Sequence, residues 1–172
     1  PGIIYCSITG FGHTGPYRER VGYDFMIQGM SGLMSITGEP DERPGGSPMK
    51  VGVAVSDVFT GLYSTIGILA ALQHRDRTGE GQHIDMALLD SQVAVLVNQA
   101  MNYLSTGAPP GRLGNAHPNI VPYQVFATKD GHLILAVGNE RQFQAFCEMA
   151  GQPELVADER FASNALRVVH RD

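Results

Sequence analysis

The sequence has no tryptophan and only two cysteines in 172 residues. Cys6 and Cys147 lie far apart and share no metal-type spacing, so the chain is not a disulfide scaffold, and the pair reads as free thiols of a reducing compartment. Charged residues make up only 17%, the net charge is −5, and there is no long basic run, which argues against a nucleic-acid binder. No apolar run reaches the roughly 18 residues of a membrane span. There is no Gly-x-Ser-x-Gly nucleophile elbow and no phosphate loop. None of the histidines pairs with a second His or Cys at ligand spacing, so no metal site is expected. An initiator Met and a targeting segment are also missing. The opening Pro1-Gly2-Ile3-Ile4 runs straight into a strand-like pattern, and the expectation is a piece cut from a longer chain.

What is present is a hydrophobic fraction of 43%, enough for a sizeable core and too much for disorder. Ile3 to Ile8 is an apolar run between Pro-Gly and Thr-Gly, expected to be a buried strand. The Gly-rich stretch Thr9 to Pro16 follows, without dinucleotide-fingerprint spacing. Tyr23 to Met34 is expected to be a helix with Phe25, Met26, Gly29, Met30 and Leu33 on its apolar face. Gly38 to Pro48, rich in proline, glycine and charge, reads as an exposed loop. Val58 to Arg75 is the strongest helix, so apolar all round that it belongs in a core, with its stop at Arg77 to Gln82. His83 to Leu88 reads as a strand. Asp90 or Ser91 then caps a helix to about Leu104, with Val93, Leu96, Val97, Ala100 and Met101 facing inward.

A long loop, Thr106 to Pro122, separates this part from the rest, and loops of that length are often functional. Tyr123 to Ala127 and His132 to Val137 flank an Asp-Gly turn, a hairpin signal. Glu140 to Ala150 is an amphipathic helix with Phe143, Phe146, Cys147 and Met149 for packing. The order implies an α/β chain that changes character near residue 106: residues 1–105 belong to a large α/β domain, and residues 106–172 form a linker loop and a small α+β domain.

Asp57 is the residue that invites a chemical reading. The apolar, strand-like run from Val51 ends there and the long helix begins. A carboxylate at a helix N-terminus is favoured as the anion by free N–H groups and the dipole. Two roles are open. The local pattern favours a plain N-cap, but a strand–helix junction is where ligands gather in open α/β sheets, and carboxylates can be covalent nucleophiles. By the same local logic Tyr23-Asp24 is a helix cap with a packing aromatic, and His117 is a turn residue.

Several segments taken together resemble the family III CoA-transferases, the group that contains formyl-CoA transferase, carnitine CoA-transferase and α-methylacyl-CoA racemase. They are Ser7 to Pro16; Gly22-Tyr23-Asp24 with Gln28 and Ser31 to Met34; Asp57-Val58-Phe59-Thr60-Gly61 running into Gly67 to Leu72; Arg77 to Gln82; Asp85; Leu89-Asp90; Gly114-Asn115-Ala116-His117-Pro118; and Pro122-Tyr123. Each is weak alone, and the ordered set is specific.

The resemblance implies a Rossmann-like large domain and a nucleophilic Asp57. That aspartate would pass an acyl group and then CoA through a mixed anhydride and an aspartyl-CoA thioester. It further implies Tyr23 and Asp24 beside the nucleophile and CoA contacts from Tyr23, Asp24, Gln28 and Leu88. A substrate loop would carry Gly114, Asn115 and His117. Where racemase relatives carry an acid/base histidine this chain has Tyr23, which favours transfer. The substrate loop is Gly-Asn-Ala-His-Pro instead of a glycine run, implying a different acceptor or different loop mobility. Coenzyme A or acyl-CoA is expected as substrate, with no tightly bound cofactor. The partners expected are small carboxylates and a second copy in an interlocked homodimer, with no nucleic acid and no membrane, in the cytoplasm or an organellar matrix. The N- and C-terminal parts of the family's length fall outside these residues, so residues 1–172 alone are expected to be inactive. A racemase or epimerase and a non-catalytic assembly or binding domain are the competing readings.

Overall fold

The computed structural model describes all 172 residues. It divides into two compact units, Pro1–Arg112 and Leu113–Asp172.

The first unit contains β1 (Tyr5–Thr9), α1 (Asp24–Met30), α2 (Val55–Thr78), β2 (His83–Ala87), α3 (Leu88–Ala94) and α4 (Val97–Thr106). β1 and β2 pair in parallel, from Tyr5 opposite His83 to Thr9 opposite Ala87. Parallel neighbours need a crossover, and α2 supplies it. A crossover helix runs against its strands, so the N-terminus of α2 lies toward the carboxyl ends of β1 and β2. Those are the ends from which the Gly-rich loop and α3 emerge. The sheet has only these two strands, so β1 is not the buried strand its composition suggests, and Tyr5 and Ile8 are exposed.

The Gly-rich loop returns over itself. A Cβ on Gly10 would lie 2.5 Å from Cα of Gly22, and one on Gly22 equally close to Cα of Gly10. Two backbones touch there, and only glycine permits it. That crossing delivers Tyr23 and Asp24 to the end of β1.

α2 reverses the expected packing. Its buried side is Ser56, Thr60, Ser64 and Ala71, while Val58, Leu62, Ile66 and Leu69 are exposed. Small residues at four-residue spacing let α1, α3 and the sheet approach closely, and Gly67 lies against Ile84 of β2. The Thr60 and Ser64 hydroxyls are satisfied within the helix: Thr60 Oγ1 donates to Ser56 O and Ser64 Oγ to Thr60 O, both at 2.7 Å. By length and composition α2 could cross a membrane, contrary to the expectation that no run is long enough. Its polar stripe, however, is packed on β2 and α3. The helix ends at Gly79, whose left-handed backbone (φ 79°) closes the last turn.

Three further expectations give way. Val51 to Ala54 is not a strand. The Gln28 side chain takes the place of a strand partner, accepting from Val51 N at 2.9 Å and donating to Val53 O at 3.4 Å. α1 is shorter than expected and buries Ile27 and Gln28, leaving Phe25, Met26 and Met30 exposed. The helix expected from Asp90 or Ser91 starts at Leu88 and breaks after Ala94, with Val97 at φ 35°. The β-branched Val93, Val95 and Val97 crowd that stretch. Its inward residues are Leu88, Ser91 and Gln92, while Val93, Val97 and Met101 are exposed.

The second unit holds an antiparallel hairpin, β3 (Tyr123–Ala127) and β4 (His132–Ala136), with α5 (Glu140–Met149) and α6 (Asn164–Val169). The hairpin and α5 match their sequence signals, and Asn139 caps α5 by accepting from Gln142 N at 2.9 Å. The core is Val137, Phe143 and Cys147, flanked by Leu135, Phe146, Leu155 and Phe161. Met149, expected to pack, is exposed. Burial pushes the Cys147 thiol above its ordinary range. The buried Arg167 stacks on the Phe143 ring at 4.1 Å and pairs with Glu140 at 2.8 Å.

Candidate active site

Asp57 is not the N-cap of α2. That position is Ala54, and Asp57 is the third helical residue, exposed in the first turn. No side chain of the chain itself is bonded to its carboxylate. The cap comes instead from another helix. Asp24, the first residue of α1, accepts from Ser56 N through Oδ1 at 2.9 Å. Its Oδ2 accepts from Gln28 Nε2 at 2.8 Å. A carboxylate therefore sits at the positive end of α2, one residue before Asp57.

The same junction is held from below. Ser56 Oγ donates to Gln92 Oε1 of α3 at 2.8 Å, and Ser56, Gln28 and Gln92 are all fully or almost fully buried. The polar chain Val51–Gln28–Asp24–Ser56–Gln92 thus ties α1, α2 and α3 together at the foot of the exposed carboxylate. Buried polar groups are tolerated only when bonded, which accounts for every member except the Gln92 amide nitrogen. That atom is buried and has no partner within residues 1–172.

The structure brings together Tyr23, Asp24, Gln28, Asp57 and Leu88 at one end of the first unit. Tyr23 precedes α1, is 73% exposed, and receives the Ile27 N–H on its backbone carbonyl at 3.0 Å. Gln28 and Leu88 are buried, so both lie beneath the surface. Ser56 and Gln92 were not singled out from the sequence. The available signal was two polar side chains, Gln28 and Gln92, set among apolar helical neighbours.

Gly114, Asn115 and His117 lie in the second unit. Gly114 takes a left-handed backbone (φ 57°) and Asn115 is exposed. His117 is built into the turn: its Nδ1 accepts from Asn119 N at 3.0 Å, and its own N–H donates to Tyr123 O at 2.9 Å. Arg171 donates to the carbonyls of His117 and Pro118, at 3.3 and 2.9 Å. An Nδ1 that accepts leaves Nε2 as the protonated nitrogen of the neutral ring.

An exposed carboxylate in the first turn of a crossover helix, at the carboxyl ends of parallel strands, marks an α/β protein with an acidic group at the sheet end where such folds gather ligands. The family model for CoA-transferase family III matches residues 1–172, and the chain belongs to that family. It is 64% identical over 171 residues to a succinate–glutarate CoA-transferase of Agrobacterium fabrum, covering 99% of this chain and 42% of that protein. It is 50% identical over 171 residues to the mouse succinyl-CoA:glutarate CoA-transferase, covering 99% and 38%. Among solved structures, a CAIB/BAIF family protein from Brucella suis superposes with a TM-score of 0.78 at 61% identity, covering 99% of this chain and 44% of that one. The chain therefore spans about two fifths of the length of the curated relatives it matches.

Proposed function

We infer that these residues are the nucleophile-bearing segment of a CoA-transferase that moves CoA between small dicarboxylic acids, with succinyl-CoA as donor and glutarate as acceptor. The observation that carries this is the exposed, unpartnered Asp57 held in the first turn of α2. In the proposed cycle a carboxylate oxygen of Asp57 attacks the donor thioester carbonyl and expels CoA thiolate, leaving a mixed anhydride. The thiolate then attacks the Asp57 carbonyl of the anhydride, the donor leaves as a free carboxylate, and an aspartyl-CoA thioester remains. The acceptor carboxylate attacks that thioester and releases the thiolate again. The thiolate finally attacks the acceptor's acyl carbon, restoring the aspartate and yielding the new acyl-CoA. No proton is gained or lost at Asp57, and the positive end of α2 stabilises each oxyanion formed beside it.

Of the residues expected at CoA, Tyr23 is exposed and is proposed to meet the thiol end. Asp24, Gln28 and Leu88 are proposed to shape the floor beneath it. The acceptor assignment draws on the two glutarate-named relatives. Gly114, Asn115 and His117 are proposed as the loop that discriminates among acids. A homodimer belongs to this reading, and the exposed Leu62, Ile66 and Leu69 side of α2 is apolar surface of the kind that assembly covers. The test is a panel of acceptors (glutarate, oxalate, malonate, acetate) given to the full-length protein with succinyl-CoA, read by mass spectrometry of the CoA products. Glutaryl-CoA should dominate. With the panel repeated in D2O, an acyl-CoA returned with deuterium at its α-carbon and no new thioester would favour the racemase reading.

A further inference from the structure

The geometry points to Ser56 and Gln92 as positioning residues for Asp57, a role that rests on the nucleophile reading above. Ser56 directly precedes Asp57, and each of its polar groups is committed. Its N–H goes to Asp24 Oδ1 at 2.9 Å, its hydroxyl to Gln92 Oε1 at 2.8 Å, and its carbonyl receives Thr60 Oγ1 at 2.7 Å. Three helices therefore hold one residue, whose neighbour in the chain carries the reacting carboxylate. A reacting group is useful only when its turn is immobile, and such immobility comes from supporting hydrogen bonds beneath it.

The Gln92 side chain commits its buried carbonyl to this bond. Gln92 is 1% exposed and its Nε2 has no partner within residues 1–172. A buried, unmade donor costs about 1–3 kcal/mol, whereas apolar groups replacing both partners of such a pair can be neutral. Turning the amide over would only exchange the orphan: Nε2 would meet Ser56 Oγ, and the carbonyl would be left bare. The serine–glutamine bond joins α3 to the first turn of α2, and the role assigned to it is to set the position of that turn.

The experiment compares the full-length enzyme with the Ser56→Ala/Gln92→Met double variant, which removes both partners at once. Unfolding midpoint, kcat, KM for succinyl-CoA and the rate of hydroxylamine trapping at Asp57 are measured. The expected result is an unfolding midpoint at or above that of the parent. With it should come a roughly 10- to 100-fold fall in kcat and in trapping rate, at a KM changed by less than about twofold. Turnover within about twofold of the parent, or a fall in kcat matched by a fall in unfolding midpoint, would overturn the role. If the double variant does not fold, Ser56→Ala alone, which keeps the backbone bond to Asp24 but leaves the Gln92 carbonyl bare, is compared by kcat and trapping rate well below its own unfolding midpoint, where a parent-like kcat overturns the role. Asp57→Ala is measured alongside. Its inactivity beside a fully active double variant would sink only the positioning role, whereas an active Asp57→Ala would sink the nucleophile itself.

Discussion

Asp24 of α1 receives the Ser56 amide of α2 at 2.9 Å, so one helix is capped by the first residue of another, 32 positions upstream. The aspartate local to α2, Asp57, is thereby released from capping and stands exposed in the first turn. The two acids divide the work that a single cap residue would otherwise do: one satisfies the helix end, and the other is left available.

Both oxygens of Asp24 accept, one from Ser56 N and one from Gln28 Nε2. Asparagine can supply only one acceptor there, and its NH2 would face a second donor. Asp24→Asn is expected to lower stability by about 1–3 kcal/mol and to reduce turnover along with it. Denaturant unfolding of the variant and parent, followed by CD, checks the first part.

The crossing of Gly10 and Gly22 leaves 2.5 Å where a methyl would need to fit. Gly22→Ala must push two backbones apart, shifting Tyr23 and Asp24 with them. A loss of about 2 kcal/mol or more is expected, with a larger fractional loss of activity than an Ala substitution at the open Gly111 would cause.

In the second unit, Arg167 holds the Glu140 carboxyl below its ordinary 4.5 through a direct hydrogen bond. The lowered value means that the pair adds stability at and above the ordinary carboxylate range, and that this stability is lost as pH falls through Glu140's folded value. Glu140→Gln should flatten that acid limb. At neutral pH it should cost about 1–2 kcal/mol, because the buried guanidinium loses its anion while Glu140 itself is well solvated. A pH series of unfolding midpoints on both proteins reads the difference. An acid limb unchanged in Glu140→Gln would show that the pair contributes nothing.

Much of the second unit was legible in the sequence because its signals are local. The Asp-Gly turn and the period of α5 each operate within a few residues. The first unit was harder to read, for a physical reason. Its decisive bonds join residues far apart in sequence: Gln28 to Val51, Asp24 to Ser56, Ser56 to Gln92. Val51 to Ala54 is apolar enough to look like a strand, but its partner is the Gln28 side chain and not a neighbouring strand. α2 misleads because apolarity marks a face to be covered without saying by what, and in these residues it is the small hydroxyl side that packs. Asp57 could be located as a helix-terminal acid. That it is free of capping duty followed only once Asp24 was in place.

Residues 1–172 span about two fifths of the curated relatives, and the apolar side of α2 stands exposed. The isolated segment is therefore expected to bind CoA weakly and to give no turnover of succinyl-CoA with glutarate. Calorimetric titration with CoA and a product assay by mass spectrometry test both expectations. Full turnover by the segment alone would refute the claim that the remaining length of the family completes the site.

The most direct measurement is peptide mass spectrometry of the full-length protein after incubation with succinyl-CoA and hydroxylamine. Attack of hydroxylamine on an aspartyl anhydride or thioester leaves a hydroxamate on the residue that carried it. The expected result is a hydroxamate on Asp57, dependent on succinyl-CoA and absent in Asp57→Ala, which should itself lose roughly a thousandfold or more in kcat. An unmodified Asp57 peptide during continuing turnover, or an Asp57→Ala variant that still transfers CoA, would contradict the account.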